Sequence, residues 1–172
     1  CLYIYRQIMD GRAQTGLVTC TSVDDYNNDV IKKHEFTRPD KEQDRIDHIK
    51  ALHAQTGPIF QTYRDNAQVV RVINEWIDDH KPVYEFTAHN VEHICWVVDC
   101  PTTIQTLIDL FAKIDHLYIA DGHHRSAAAC RVGMEMRQEN QDPGAEFNYF
   151  LSVVFPASDL KIWPYNRLVT DL

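Results

Sequence analysis

Leu117-Tyr118-Ile119-Ala120-Asp121-Gly122-His123-His124-Arg125 passes from a β-type apolar run, through an Asp-Gly turn, straight into a segment containing Ala127, Ala128, Ala129 and Met134 that reads as a helix. Such a strand-loop-helix junction has the physical elements of an anion site. Gly122 has no Cβ to block close approach or forbid a positive φ, while the first N–H groups of the helix lack partners and its dipole favours negative charge. Arg125 adds a permanently charged donor fork. His123 and His124 add imidazole donors whose charged form an adjacent phosphate favours. The three alanines let the helix pack close to a sheet. A plainer reading of the same residues makes Asp121 an N-cap and the histidines solvated surface groups.

Working outward, Pro101-Thr102 opens a helix that carries Ile104, Leu107, Ile108, Phe111 and Ile114 at helical spacing. Two strands precede it, Val83–Ala88 and His93–Asp99, with a short polar bend between them. Earlier still come a helix bearing Val69, Val70, Ile73, Trp76 and Ile77, a strand Pro58–Tyr63, and a helix from near Asp40 with Ile46, Ile49 and Leu52 on one face. At the start, Leu2–Met9 and Thr15–Val23 read as antiparallel strands around a turn at residues 10–14. A polar stretch with Asp24, Asp25, Asn27, Asn28 and Asp29 follows, then an irregular approach over Ile31–Pro39. Beyond the junction, Asp142-Pro143-Gly144 marks a loop before strands at Phe147–Phe155 and around Leu160–Trp163. This order predicts an α+β fold, a mixed and largely antiparallel sheet with packed helices. No repeat or linker divides the chain. The expectation is one domain over residues 1–172, with an N-terminal hairpin extension (1–30), a core holding the phosphate-binding turn (31–140) and C-terminal strands (141–172).

The 172 residues include 17 Lys plus Arg against 25 Asp plus Glu, a formal net charge of −8, nine His, five Cys and 44% hydrophobic residues. That composition suits a soluble globular domain with enough chain for a core of its own. The acidic balance opposes the phosphate backbone of nucleic acid, and no Lys/Arg stripe offsets it, so nucleic acid is not an expected partner. No run approaches the about 18 consecutive apolar residues of a membrane span, and the start has neither a basic leader nor a small-residue cleavage site. Membrane association is not expected. Cys1, Cys20, Cys95, Cys100 and Cys130 form no CxxC pair, which signals neither a disulfide framework nor a zinc knuckle and fits a reducing cytoplasm. Cys95 and Cys130 lie in apolar or small-residue contexts typical of core thiols. The absent initiator Met and the abrupt end suggest an internal fragment of a longer protein.

Tyr118-Ile119-Ala120-Asp121-Gly122-His123-His124-Arg125 resembles a motif of the ParB/sulfiredoxin-like superfamily, nearest to the Asp-Gly-His-His-Arg of the ADP-dependent free serine kinases. Sulfiredoxins carry Gly-Cys-His-Arg at the equivalent turn and ParB-type partition proteins Gly-Glu-Arg-Arg. Here His123 replaces the sulfiredoxin cysteine and the ParB acid-arginine pair is missing, so neither cysteine-sulfinate reduction nor chromosome partition is implied. Lys33-His34-Glu35-Phe36-Thr37, followed by Lys41-Glu42-Gln43-Asp44-Arg45-Ile46, resembles the upstream His-Glu segment and helix of the serine kinases, where their proposed catalytic glutamate lies. Glu35 would inherit that role. Tyr3-Ile4-Tyr5-Arg6-Gln7, Thr15-Gly16-Leu17-Val18, Lys33-His34-Glu35, His93, Trp96 and the Asp-Gly-His-His-Arg turn together resemble the bacterial and archaeal family called domain of unknown function 1015. The resemblance implies a ParB/sulfiredoxin-like core and a longer parent protein.

The function expected on this basis is nucleotide binding, with ADP or ATP and Mg²⁺, and kinase-like phosphoryl transfer to a small hydroxyl metabolite such as a free amino acid. Phosphoryl transfer asks the protein to clamp phosphate oxygens and position an acceptor. Gly122, His123, His124 and Arg125 would bind the nucleotide phosphates, Glu35 would accept the hydroxyl proton, and Asp121 would orient that hydroxyl or hold Mg²⁺. His34 and His93 are candidate substrate contacts, although a loop histidine bonded to backbone is the plainer reading of His34. His93 and Trp96, three apart in a strand, face opposite sides, with Trp96 towards the core. Arg38, Lys41 and Arg45 could form a cationic rim for an acidic substrate, although Arg45 with Glu42 or Asp44 reads more plainly as part of a solvated helix face. Asn166-Arg167 could approach the site. A metal centre built from His123, His124 and Asp121 or Glu35 lacks HxH or HExxH spacing. The alternative function is a nucleotide-dependent regulatory or binding module that phosphorylates no metabolite, since a phosphate cradle specifies binding more securely than catalysis.

Overall fold

Asp10 and Gly11 both adopt positive φ, 52° and 76°, the pair of left-handed residues that closes a two-residue hairpin. β1 (Leu2–Met9) therefore turns directly into β2 (Arg12–Ser22), with Met9 opposite Arg12. The expected five-residue turn at 10–14 is too long, because two left-handed residues already reverse the chain. His89 and Asn90, at φ 51° and 62°, do the same between β5 (Tyr84–Ala88) and β6 (Val91–Val98).

The computed structural model describes residues 1–164 and 166–169. Its remaining elements are α1 (Val23–Asn27), β3 (Ile31–Lys32), α2 (Pro39–Leu52), β4 (Ile59–Tyr63), α3 (Ala67–Asp79), α4 (Pro101–Phe111), β7 (Leu117–Asp121), α5 (His123–Met136) and β8 (Tyr149–Pro156). The eight strands form one sheet in the order β3-β7-β4-β8-β2-β1-β6-β5. Only β3 with β7 and β4 with β8 run parallel; every other neighbour is antiparallel. The fold is thus α+β, with a mixed, mostly antiparallel sheet and packed helices.

Register puts Ile4, Leu17, Trp96 and Val154 on one face. There they meet Val69, Ile73 and Trp76 of α3 and Leu107 and Leu110 of α4 in one core cluster. Along the same face, Ile31, Ile59, Ile119 and Phe150 pack with Val23 of α1 and Ala129 and Cys130 of α5. The other face carries Tyr3, Tyr84 and Phe86, all substantially exposed. Trp96 is buried and donates its indole N–H to the His80 carbonyl at 3.1 Å.

α2 packs mainly on α5, with Ile49 against the cluster that holds Ile59 and Ile119. Its Ile46 packs on Ala128 and Val132 of α5, so only residues at the helix crossing are covered and Leu52, expected on the apolar face, is 51% exposed. The polar stretch after β2 holds a helix missed by the apolar pattern. Ser22 caps α1 by accepting the Asp24 N–H at 3.0 Å, and Asp24 and Asp25 favour its first turn. The strand expected around Leu160–Trp163 is absent. After β8 comes a 3₁₀ turn, Ala157–Asp159, whose groups bond to side chains instead of a ladder: Asp159 accepts the Thr15 N–H, and Arg12 donates to the carbonyls of Ser158, Asp159 and Leu160. Of the segment 141–172, Tyr165, Thr170, Asp171 and Leu172 lie outside the described residues. No helix among the described residues is long and apolar enough to cross a membrane.

α5 seats so deeply because Gly133 has no side chain: a Cβ there would run into the Phe147 carbonyl and sit 3.3 Å from Val23 Cγ2. Gly133→Ala is expected to lower stability by about 1–3 kcal/mol, the usual range for overpacking. A urea transition with a lower midpoint and unchanged slope is the readout; an unshifted midpoint would contradict this packing.

Candidate functional site

β7 becomes α5 across one residue. Gly122 stands at φ 99° as the N-cap of α5, and Ser126 N–H returns to the Gly122 carbonyl at 2.9 Å. No side chain caps the helix, which leaves its first N–H groups pointing outward. Asp121 is therefore not the N-cap that the plainer reading supposes. Its carboxylate instead accepts from Arg125 Nη2 at 2.9 Å.

The three residues after Gly122 diverge. His123 turns inward and is only 5% exposed; its Nε2 is buried without a hydrogen-bond partner. The ring meets His34 edge-on, with centroids 4.4 Å apart. His124 turns towards the chain preceding α2, where its Nε2 accepts the Arg38 N–H at 3.1 Å. An accepting Nε2 puts the proton of the neutral ring on Nδ1, leaving Nδ1–H as the donor His124 can offer. Arg125 folds back across the turn, donating to the Pro58 carbonyl at 3.3 Å as well as to Asp121, and its Nε is buried and unpartnered. Gly122 is favoured there by its φ of 99°, and a Cβ would lie 3.0 Å from Arg125 Nη2, which would have to shift to make room. On its far side Arg125 borders a depression lined also by Arg45, His48, Gln55 and Gly57. Of the expected cationic rim, Arg45 borders this depression but is paired with Asp44 at 3.4 Å, and Arg38 is paired with Asp40 at 2.8 Å.

The Lys33–Arg38 loop is fastened over the start of α5. Lys33 Nζ is held by Asp29 at 2.9 Å and by the Tyr26 carbonyl at 2.8 Å. At the other end Thr37 Oγ1 donates to Glu42 Oε2 at 2.9 Å, and Glu42 also faces Arg131 at 3.5 Å. Glu42 thus ties the loop to α2 and α5, a positioning role the sequence reading missed. The five-residue spacing from Thr37 falls outside the Thr-x-x-Glu capping pattern that would have flagged it. Glu35, at the bend of the loop, is exposed and engages no hydrogen bond or ion pair among the described residues.

Glu35, Asp121, Gly122, His123, His124, Arg125 and His34 are brought to one place by these contacts. His93 is not. It lies on β6, five strand spacings from β7, about 24 Å at the usual interstrand distance. There it bonds Tyr5 Oη through Nδ1 at 2.6 Å and stacks on Phe86. No cluster of three or more His, Cys, Asp or Glu able to hold a metal occurs among the described residues.

Burial, reinforced by His34, pushes the His123 imidazole below its ordinary pKa, outweighing the opposite pull of Glu35 and Asp121. The unfolded chain takes up a proton near its ordinary value of about 6.5 while folded His123 stays neutral. Its contribution to stability is complete above that value and is lost as pH falls through the folded, lower one. Thermal midpoints measured against pH should therefore decline more steeply on the acid side for the wild type than for His123→Gln. Parallel curves for the two proteins would remove the burial penalty.

No curated protein and no solved structure shows significant similarity to this chain. A family profile described as "Protein of unknown function (DUF1015)" matches residues 1–172. The chain thus belongs to the DUF1015 family, whose match takes in the Gly122 turn and the clamped loop alike.

Proposed function

We propose that this domain binds a nucleoside di- or triphosphate at the Gly122 turn and transfers a phosphoryl group to a small hydroxyl acceptor, such as a free amino acid. The likeness of the turn to that of the ADP-dependent free serine kinases, within the ParB/sulfiredoxin-like superfamily, supports the reading. One observation carries it: the loop bearing Glu35 is locked to His123 and His124, which keeps a solvent-accessible carboxylate beside the helix N-terminus that would hold phosphate. A phosphate cradle and a proton acceptor held by the same clamp are the two parts such a transfer needs.

The uncapped N–H groups after Gly122, with His124 Nδ1–H and the Arg125 guanidinium, take the phosphate oxygens. Arg125 leaves Asp121 to do so, exchanging one anion for another. The acceptor oxygen attacks the terminal phosphorus, its proton passes to Glu35, and the bond from phosphorus to the leaving nucleotide oxygen breaks. Glu35 is exposed, and a carboxylate is suited to receiving the proton late, as the hydroxyl becomes acidic. Mg²⁺ would neutralise charge on the phosphates, and Asp121, released by Arg125, is the carboxylate at the turn to meet it. His34 backs His123 and shapes the wall beside the acceptor.

A nucleotide-responsive binding module is the second reading. The Arg125–Asp121 pair favours it, because an ion pair that phosphate must break gives the turn two states without any chemistry.

Incubation with ADP or ATP, Mg²⁺ and a panel of hydroxyl amino acids tests the transfer, with phospho-product as the readout. Glu35→Gln should abolish product while leaving nucleotide affinity within about twofold; normal turnover by this variant would remove Glu35 from the reaction. Arg125→Ala should weaken nucleotide binding by about tenfold or more, the expected loss of a charge-assisted contact. Unchanged affinity would move the phosphate site elsewhere. Binding without product, but with nucleotide-dependent change in proteolytic protection of the loop, would favour the module.

A further inference from the structure

Anchoring along Lys33–Arg38 is uneven. Lys33 is held by Asp29 and the Tyr26 carbonyl, His34 lies against His123, Thr37 donates to Glu42, and Arg38 gives its N–H to His124. Between these anchors stand Glu35 and Phe36, and the Phe36 side chain is 100% exposed. Isolated apolar residues on a surface need no explanation. A whole phenyl ring held in water by a loop fastened on both sides is different, since its exposure is imposed by the anchors.

We propose that Phe36 is the platform on which the base of the nucleotide stacks while its phosphates occupy the Gly122 turn. This rests on the nucleotide reading above and adds to it the site of the base. Reach is suitable: Phe36 is two residues from His34, whose ring is 4.4 Å from that of His123, and two from Arg38, whose N–H donates to His124, and two residues of chain span at most about 7 Å. Phe36 is therefore tethered within about the length of a ribose phosphate of both contacts with the start of α5. An aromatic face suits every base, because each has a π-face and stacking needs no hydrogen-bonding edge. Stacking would also cover an exposed ring, so binding gains apolar burial at the loop apex. Glu35 is the next residue, and a base resting on Phe36 would bring the proton acceptor into register with the phosphate end of the same molecule.

Calorimetric titration of the protein with ADP, ATP and pyrophosphate, each with Mg²⁺, tests this in the wild type, Phe36→Ala and Phe36→Tyr. The expected result is a loss of about tenfold in ADP and ATP affinity in Phe36→Ala, full or near-full recovery in Phe36→Tyr, and no change for pyrophosphate. Because the ring touches no core residue, thermal midpoints should agree among the three proteins. Unchanged ADP affinity in Phe36→Ala would overturn the platform and leave the nucleotide reading standing. A loss shared by pyrophosphate, or one that Phe36→Tyr does not restore, would assign Phe36 to holding the loop and would also overturn it. Failure of the wild type to bind any of the three would bring down both readings.

Discussion

The junction at Gly122 is the constraint on which the rest of the site depends. β7 lies between β3 and β4, so its direction is fixed by ladders on both sides, while α5 is fixed by Ile46 of α2, by Val23 of α1 and by the strands beneath it. One residue must reconcile these two rigid elements, and it does so at φ 99° with a guanidinium lying where a side chain would be. Everything of chemical interest follows from that abrupt turn. It leaves the helix uncapped, aims successive residues in three directions, and places Arg125 one helical turn from Asp121.

Two kinds of attraction hold the site, and they differ in what a ligand can do to them. The contacts of His123 are burial and ring packing, insensitive to a passing anion; Ser126 Oγ fixes the same turn from within by bonding the His123 carbonyl at 3.0 Å. The contacts of Arg125 are ionic, made at a partly exposed surface where water and a competing anion both have access. The inner part therefore serves as frame and the outer part as the responsive element. The depression beside Arg125 is lined also by Arg45 and His48, and both arginines are already paired, Arg125 with Asp121 and Arg45 with Asp44, so an incoming anion would have to compete with a carboxylate.

Legibility of these features in the sequence varied with the range of the interaction involved. The strand, Asp-Gly and helix were readable because a glycine at a strand-to-helix junction has a local reason to be there. Helical spacing marked α3, whose Val69, Ile73 and Trp76 all face the core. The fate of the neighbouring histidines was not readable, since burying His123 and turning His124 outward depend on the rotation of α5 and on a loop about 85 residues earlier in the chain. Sheet order is similarly hidden: His93 looks like a member of the site until four strands are seen between it and β7. β3 is too short for any periodic signal, although its Ile31 is fully buried. Leu52 failed for the opposite reason, a true helical pattern on a helix whose last turn lies beyond its crossing with α5 and leaves the side chain 51% exposed.

The order of the strands has one more consequence, for self-association. An open sheet of eight strands has two raw edges, each a row of unpaired backbone groups on which another chain can template. Here one margin is the shortest strand of the sheet and the other carries a charge. β3 offers two residues and β5 five, and at β5 Glu85 interrupts the aromatic pair Tyr84 and Phe86 with a charge. Brevity at one margin and a charge at the other let the sheet carry the Gly122 turn without inviting a ninth strand from a neighbour.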